Sequence, residues 1–164
     1  MLKCVDRRRG CGIFHHQPPD VDTIMPAQFE AFGRTVLYPE NWTRAESGDE
    51  ETAAEDVTLE MPSGGFLTIQ RAGQHLSDDE VVRQVRTAIA DDYNEVDAVE
   101  VDTEDEHITR IVDFQFYYLD LLIVSRLILI RNDSDRLVVQ VQSEDRDFER
   151  NEPVYRAILK QLAG

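Results

Sequence analysis

The stretch ITRIVDFQFYYLDLLIVSRLILIR, residues 108–131, decides the fold. Residues 108–118 are rich in β-branched and aromatic side chains and predict one long strand. Residues 121–131 are apolar on both faces, as expected of a strand that is covered from both sides. Leu119 and Asp120 lie between them and predict a two-residue turn, although Leu-Asp is a poor sequence for a type I′ turn. The stretch therefore predicts a β-hairpin at the centre of a sheet.

The turn fixes which side chains of the hairpin share a face. If Tyr118 faces Leu121, then Asp113 lies opposite Arg126, and Tyr117 lies further along the same face. A half-buried arginine needs a partner because an unpaired buried charge costs several kcal/mol, and Asp113 is the predicted partner. The alternative is that Arg126 binds the carboxylate of a ligand or partner. Asp113, Tyr117 and Arg126 are therefore the candidate binding residues.

The two faces of this hairpin differ in composition. The face of Arg126 joins an apolar field, in which Ile128 and Ile130 meet the following strand, to a polar end that holds Asp113. The opposite face is predicted to form the principal core, with Val112, Phe114, Phe116, Tyr118, Ile123, Leu127 and Leu129.

The rest of the chain predicts strands followed twice by a helix. Ser77 and Glu80 form a capping box before a helical pattern that reaches Tyr93. A second helix is predicted from near Pro153, with Asn151 or Glu152 as its cap, to the end of the chain. Strands are predicted over residues 34–38, 42–45, 57–61, 66–71, 98–103, 108–118, 121–131 and 136–143. The order ββββ-α-ββββ-α indicates an α+β fold in which helices flank an antiparallel sheet.

Two segments differ from this pattern. Residues 1–24 hold both cysteines and an Arg7-Arg8-Arg9 run without periodicity, and they predict a disordered tail or a misassigned start upstream of Met25. Residues 25–164 are then the single domain. The acidic stretch 47–55 predicts a surface loop.

The charge of the chain excludes some partners. Asp and Glu total 33 against 17 Lys and Arg, which gives a net charge of −16. Nucleic acids and anionic membranes are therefore poor partners, whereas a basic protein surface suits the chain. No apolar run is long enough to span a bilayer, and residues 1–24 lack the apolar stretch of a secretory signal, so we expect a cytoplasmic protein.

No motif in the sequence predicts catalysis or a cofactor. The nucleophile elbow, the P-loop and the dinucleotide fingerprint are all missing from it. Cys4, Cys11, His15 and His16 do not have the spacing of a zinc knuckle. We therefore expect a protein that is not an enzyme and that holds no metal or cofactor.

Two motifs resemble the opening of PsbP-like and Ran-binding Mog-type domains. One is Tyr38-Pro39-Glu40-Asn41-Trp42, and the other is Val57 to Ile69 with its Pro62-Ser63-Gly64-Gly65 turn. The resemblance implies an α/β/α sandwich over nearly all of residues 29–164. It also implies a non-enzymatic role, since members are extrinsic photosystem subunits, GTPase binders or secretion chaperones. No binding residue of the family can be transferred to this chain.

The sequence thus leaves two function classes open. One is a non-catalytic protein-binding, adaptor or chaperone-like module that holds its partner on a sheet face or in a helix-flanked groove. The other is a small-molecule-binding protein or degenerate hydrolase with a pocket near Arg126, which a closed apolar cavity there would favour. The open edges of such a sheet also allow a homodimer.

Overall fold

The computed structural model describes residues 26–45, 56–73, 75–133 and 135–164. The predicted tail 1–24 and the predicted loop 47–55 lie outside these residues. Within the described ranges the chain forms nine strands and two helices: β1 (Ala27–Ala31), β2 (Arg34–Tyr38), β3 (Thr43–Arg44), β4 (Asp56–Glu60), β5 (Phe66–Arg71), α1 (Asp78–Asp92), β6 (Asp97–Glu100), β7 (Ile108–Tyr118), β8 (Leu121–Arg131), β9 (Arg136–Glu144) and α2 (Asp145–Ala163).

The described strands form a small and a large antiparallel sheet. β1 pairs with β2, and the other seven strands are ordered β3-β4-β5-β9-β8-β7-β6. The α+β fold with an antiparallel sheet flanked by helices is confirmed. The element order differs from the prediction by one strand, β1, which comes before the predicted first strand. This strand was missed because Phe29 is its single fully buried residue, which leaves no clear alternation.

The predicted hairpin of β7 and β8 is confirmed in its bounds and its register. Tyr118 faces Leu121, Asp113 faces Arg126, and Arg126 in turn faces Val141 of β9. The side chains of β7 and β8 therefore divide between the two faces of the sheet as the alternation predicts.

Each face of the sheet carries one helix and one hydrophobic core. α1 covers Val112, Phe114, Phe116, Leu127 and Leu129. α2 and the β1–β2 hairpin cover the opposite face, and their core is the larger of the two and includes Ile128, Ile130, Val139 and Val141. The prediction that the α1 face forms the principal core was wrong, because α2 and β1–β2 together bury more of the other face.

The second helix begins earlier than predicted. α2 starts at Asp145, and Pro153 lies inside it instead of at its first turn. Asn151 does not cap the helix, since its amide donates to the Asp147 carbonyl at 2.9 Å. Phe148 explains the earlier start, because it is buried against Tyr155 with ring centroids 5.2 Å apart. This packing compensates for the hydrogen bond that proline cannot donate.

The capping box of α1 is confirmed, since the Ser77 hydroxyl accepts from the Glu80 amide and the Glu80 carboxylate accepts from the Ser77 amide. Trp42, from the Tyr-Pro-x-x-Trp motif, is a core residue that lies 6.1 Å from the Tyr155 ring.

β5 and β9 form the seam of the large sheet, where the strands β3–β5 meet the strands β6–β9. Gly65 lies at this seam just before β5. A Cβ atom at this position would lie 2.6 Å from the Ser143 Cβ atom and 2.8 Å from the Gln142 carbonyl oxygen. Only glycine therefore lets the two strands approach this closely.

Candidate functional site

Asp113 and Arg126 form the ion pair that the register predicts. The Arg126 Nε donates to Asp113 Oδ1 at 2.7 Å, and Nη2 donates to Oδ2 at 2.8 Å. The side chains are 13% and 19% exposed, so the two-point contact is largely shielded from water. Two parallel charge-assisted hydrogen bonds hold both groups in one geometry.

The remaining side of the guanidinium is also occupied. Arg126 Nη1 lies 3.5 Å from Glu152 Oε1, and the guanidinium carbon lies 4.9 Å from the centre of the Phe148 ring. The hydrogen bonds to Asp113 raise the pKa of Arg126 above its ordinary value, although burial acts in the opposite direction. Arg126 is therefore a charged residue whose N–H donors bind acidic side chains of its own chain. This agrees with the predicted pairing with Asp113 and leaves few donors for the carboxylate of a ligand.

A groove of about 540 Å³ lies beside this pair, between the segment after β6 and α2. It is open to solvent and mixed in charge. Its lining includes three cations, four acids and four apolar residues: Arg126, Arg156 and Lys160; Asp102, Glu104, Asp105 and Glu152; and Val101, Ile108, Ile111 and Leu159. Glu152 pairs with Arg156 at 3.0 Å as well as with Arg126. The groove is thus not the closed apolar cavity that would favour a small-molecule site.

Tyr117 does not join the Asp113–Arg126 pair. It lies on the same face of β7, but four residues along a strand separate it from Asp113 by about 13 Å. Its side chain is 68% exposed at the end of the hairpin. The structure therefore brings two of the three candidate residues together and places the third on a different surface.

Tyr117 belongs instead to an exposed apolar cluster that the sequence did not predict. Residues 117–121, here called the hairpin tip, connect β7 to β8. Among the described residues, six large hydrophobic side chains are exposed, and four of them lie on the tip: Tyr117, Tyr118, Leu119 and Leu121. The other two lie elsewhere, Val99 on β6 opposite Asp113 and Leu37 on β2. Tyr118 was predicted to lie in the core, but it is about half exposed, and its ring lies at right angles to the Tyr93 ring with the centroids 5.9 Å apart.

The turn at the tip holds its residues in a costly conformation. Leu119 and Asp120 have φ values of 47° and 63°, as a type I′ turn requires. Such a backbone is unfavourable for a leucine. Phe32 has a similar φ of 56° in the β1–β2 turn, but its side chain is buried in the core. Leu119 is 78% exposed, so no burial within the described chain offsets its cost.

The described residues contain neither a metal-binding cluster nor a membrane-spanning helix. Across residues 26–45, 56–73, 75–133 and 135–164, no group of three or more His, Cys, Asp or Glu side chains is arranged to hold a metal ion. Cys4, Cys11, His15 and His16 lie outside these ranges. In the same part of the chain, no helix is long and apolar enough to cross a bilayer.

Comparisons with known proteins rest on structure. No protein-family model and no curated protein matches this sequence. The solution structure of PsbP (CyanoP) from Synechocystis sp. PCC 6803 superimposes with a TM-score of 0.57 at 9% identity, and the match covers 93% of this chain and 96% of CyanoP.

Two further solved structures are more distant. PA94 from Pseudomonas aeruginosa, a putative regulator of unknown function, has a TM-score of 0.46 at 15% identity, with 80% of this chain and 91% of PA94 covered. LpqN, involved in cell envelope biogenesis of Mycobacterium tuberculosis, has a TM-score of 0.42 at 9% identity, with 87% and 85% covered. The likeness to CyanoP, over nearly the full length of both chains, shows that this chain has the PsbP-like fold.

Proposed function

We propose that this protein is a non-catalytic protein-binding module, of the adaptor or chaperone-like kind, and that its partner docks on the hairpin tip. The observation that carries the proposal is the clustering of four of the six exposed large hydrophobic side chains of the described residues at the tip. Monomeric proteins rarely gather exposed apolar side chains in this way unless a partner covers them. Tyrosine is also among the residues that contribute most to protein interfaces.

The conformation of Leu119 supports the same proposal. An unfavourable backbone conformation often occurs at a site that binds a ligand or a partner, where the strained residue takes part in recognition. An exposed leucine at the extreme end of a rigid two-stranded hairpin can insert into a pocket of a partner with little loss of conformational freedom.

Affinity capture from the native organism tests this proposal. The variant Tyr117→Ser/Leu119→Ser removes the two most exposed large hydrophobic side chains of the tip, and Leu37→Ser is the matched control at the exposed hydrophobic residue on β2. We expect the wild type and the control to capture one protein in equal amounts, and the tip variant to capture about tenfold less of it. A loss of this size is typical of substitutions at the centre of an interface. The captured protein is then purified, and its affinity for the three forms is measured by calorimetry. Equal affinities for all three would contradict the proposal.

The second candidate, a small-molecule-binding protein or degenerate hydrolase, would bind its ligand in the groove beside Arg126, although this groove is open and not the closed apolar cavity that would favour it. Its volume suits a ligand, and Lys160 lies in its wall. A ligand present at about one hundred times its Kd would stabilise the wild type by about 2.7 kcal/mol. A thermal-shift screen of metabolites would favour this candidate if a compound raised the Tm of the wild type but not of Lys160→Ala.

The predicted cytoplasmic location stays a prediction that cell fractionation would test.

A further inference from the structure

β6 is the edge strand of the large sheet beside the hairpin tip. It pairs with β7 on one side, and no described strand pairs with its other side. Val101 donates its N–H to the Ile111 carbonyl at 3.0 Å, which shows that the backbone at this position faces β7. Backbone groups alternate along an antiparallel strand, so the N–H and C=O groups of Ala98 and Glu100 face away from the sheet. Residues 97–100 are all exposed.

We propose that the outer edge of β6 receives an extended, basic segment of a partner protein as an additional strand. This inference rests on the proposed function, since it names the chemistry of the partner that the tip and β6 together would bind. An added strand satisfies the outward backbone groups of Ala98 and Glu100 directly.

The charge around β6 indicates what this segment must carry. Residues 91–106 contain nine acidic residues and no Lys, Arg or His. Glu100 is partly neutralised by Arg110, which also contacts Asp79 of α1. Asp102, Glu104 and Asp105 line the groove that also holds Arg126, Arg156 and Lys160. The other five acidic residues of this segment, Asp91, Asp92, Glu95, Asp97 and Glu106, still leave it with a net negative charge, which attracts a segment rich in Lys or Arg.

The same charge argues against a second copy of this chain as the occupant. A homodimer through β6 would place this acidic segment against itself, and like charges on facing strands destabilise pairing. A heterologous segment with the opposite charge does not have this cost.

The side chains of β6 further define the segment. Val99 is 51% exposed and lies on the same face as Tyr117 of the tip. An apolar side chain of the added strand would cover Val99 on this face. Because side chains alternate along a strand, the bound segment would alternate apolar residues with basic ones.

A peptide selection tests the inference on the full chain. A phage-displayed library of random linear peptides is selected on the wild type, and enriched sequences are synthesised. We expect these peptides to alternate Lys or Arg with apolar residues. Binding should fall about tenfold with Ala98→Pro, because proline removes one outward N–H and leaves the bonds to β7 in place. Ala98→Ser is the matched control, since it keeps the N–H and should bind as the wild type does. Circular dichroism and the Tm verify that both variants fold.

Four results would overturn the inference. Peptides that lose affinity with Tyr117→Ser/Leu119→Ser but not with Ala98→Pro would show that the tip binds without the edge, and the proposed function would stand. Enriched peptides without basic residues, or no enriched peptides, would remove the proposed partner chemistry. A concentration-dependent dimer in sedimentation that Ala98→Pro abolishes would assign the edge to a second copy. Failure of the proposed function itself is seen separately, in the calorimetry with the captured protein.

Discussion

The pairing of Arg126 with Asp113 shows how one residue can be essential for stability without being a ligand site. Replacing Arg126 by methionine keeps the length of the side chain but leaves the Asp113 carboxylate largely buried without its partner. We expect Arg126→Met to lower the free energy of unfolding by about 3 kcal/mol, since removal of one member of a buried pair leaves the other charge uncompensated. Urea unfolding monitored by circular dichroism measures this loss.

The double variant Asp113→Leu/Arg126→Met provides the control for this prediction. It removes both charges at once, so we expect it to be more stable than Arg126→Met. A loss below about 1 kcal/mol in the single variant would mean that water screens the pair as it does a surface pair.

The buried Tyr155 is expected to lower the free energy of unfolding at alkaline pH. Burial raises the pKa of Tyr155 above its ordinary value of 10.0, and its hydroxyl lies 3.4 Å from the Met61 sulfur. Below pH 10 the phenol is neutral in both the folded and the unfolded chain, so its contribution is constant. Above pH 10 the unfolded chain releases the proton first, and stability falls as the pH rises towards the folded-state pKa.

Tyr155→Phe should therefore show a smaller loss of stability than the wild type between pH 9 and pH 11, a range that spans the ordinary pKa of a tyrosine, about 10. Urea midpoints measured at several pH values test this. Parallel curves for the two proteins would show that other groups control the alkaline transition.

Among the elements, the β7–β8 turn is the one in which stability and binding are expected to conflict. The variant Leu119→Asn/Asp120→Gly supplies the residues that a type I′ turn favours. We expect it to raise the free energy of unfolding by about 1 kcal/mol, because it removes an unfavourable backbone conformation. The same variant should weaken partner binding, since it deletes the exposed leucine.

Chemical unfolding and calorimetry with the captured partner measure the two effects on the same samples. Asp120→Gly alone is the control, because it relieves the second turn residue and keeps Leu119. If the double variant bound the partner as tightly as Asp120→Gly does, Leu119 would have no part in recognition.

The sequence predicted the β7–β8 register and the Asp113–Arg126 pair for a simple reason. Side chains alternate between the two faces of a strand, and a two-residue turn then allows only one pairing of the two strands. The sequence did not predict the start of α2, since proline favours the first turn of a helix and the packing of Phe148 is a tertiary effect. It placed Tyr118 in the core because alternation reports which face a side chain takes and not where the covering helix stops. The hairpin tip was missed for the same reason. The unfavourable Leu-Asp turn was the one local signal that could have indicated it.

At the scale of the whole molecule, the net charge of −16 sets how stability depends on salt. Repulsion among the carboxylates opposes the compact state, and salt screens it. We expect the urea midpoint to rise when NaCl is increased from about 0.01 M to about 0.1 M, as the Debye length falls from about 30 Å to about 10 Å. Sodium sulfate at the same ionic strength separates screening from effects specific to the anion.

Binding should respond to salt in the opposite direction. Affinity for a basic peptide should fall over the same range of NaCl, because screening weakens attraction between opposite charges.

For the stability prediction, a urea midpoint that fell with salt would be the contrary result. It would indicate that the described ion pairs, such as Arg136 with Asp78, outweigh the repulsion.

The seam between β5 and β9 has a consequence for synthesis on the ribosome. β3–β5 and β6–β9 are each built from neighbours in the chain, but β5 finds its second partner only after α1 and three further strands have been made. Pairings so distant in sequence are slow to close. While the chain is being translated, the backbone edge of β5 is therefore open to the wrong strands until β9 emerges and pairs with it. The nascent chain thus has its greatest risk of aggregation in the interval between the synthesis of β5 and that of β9.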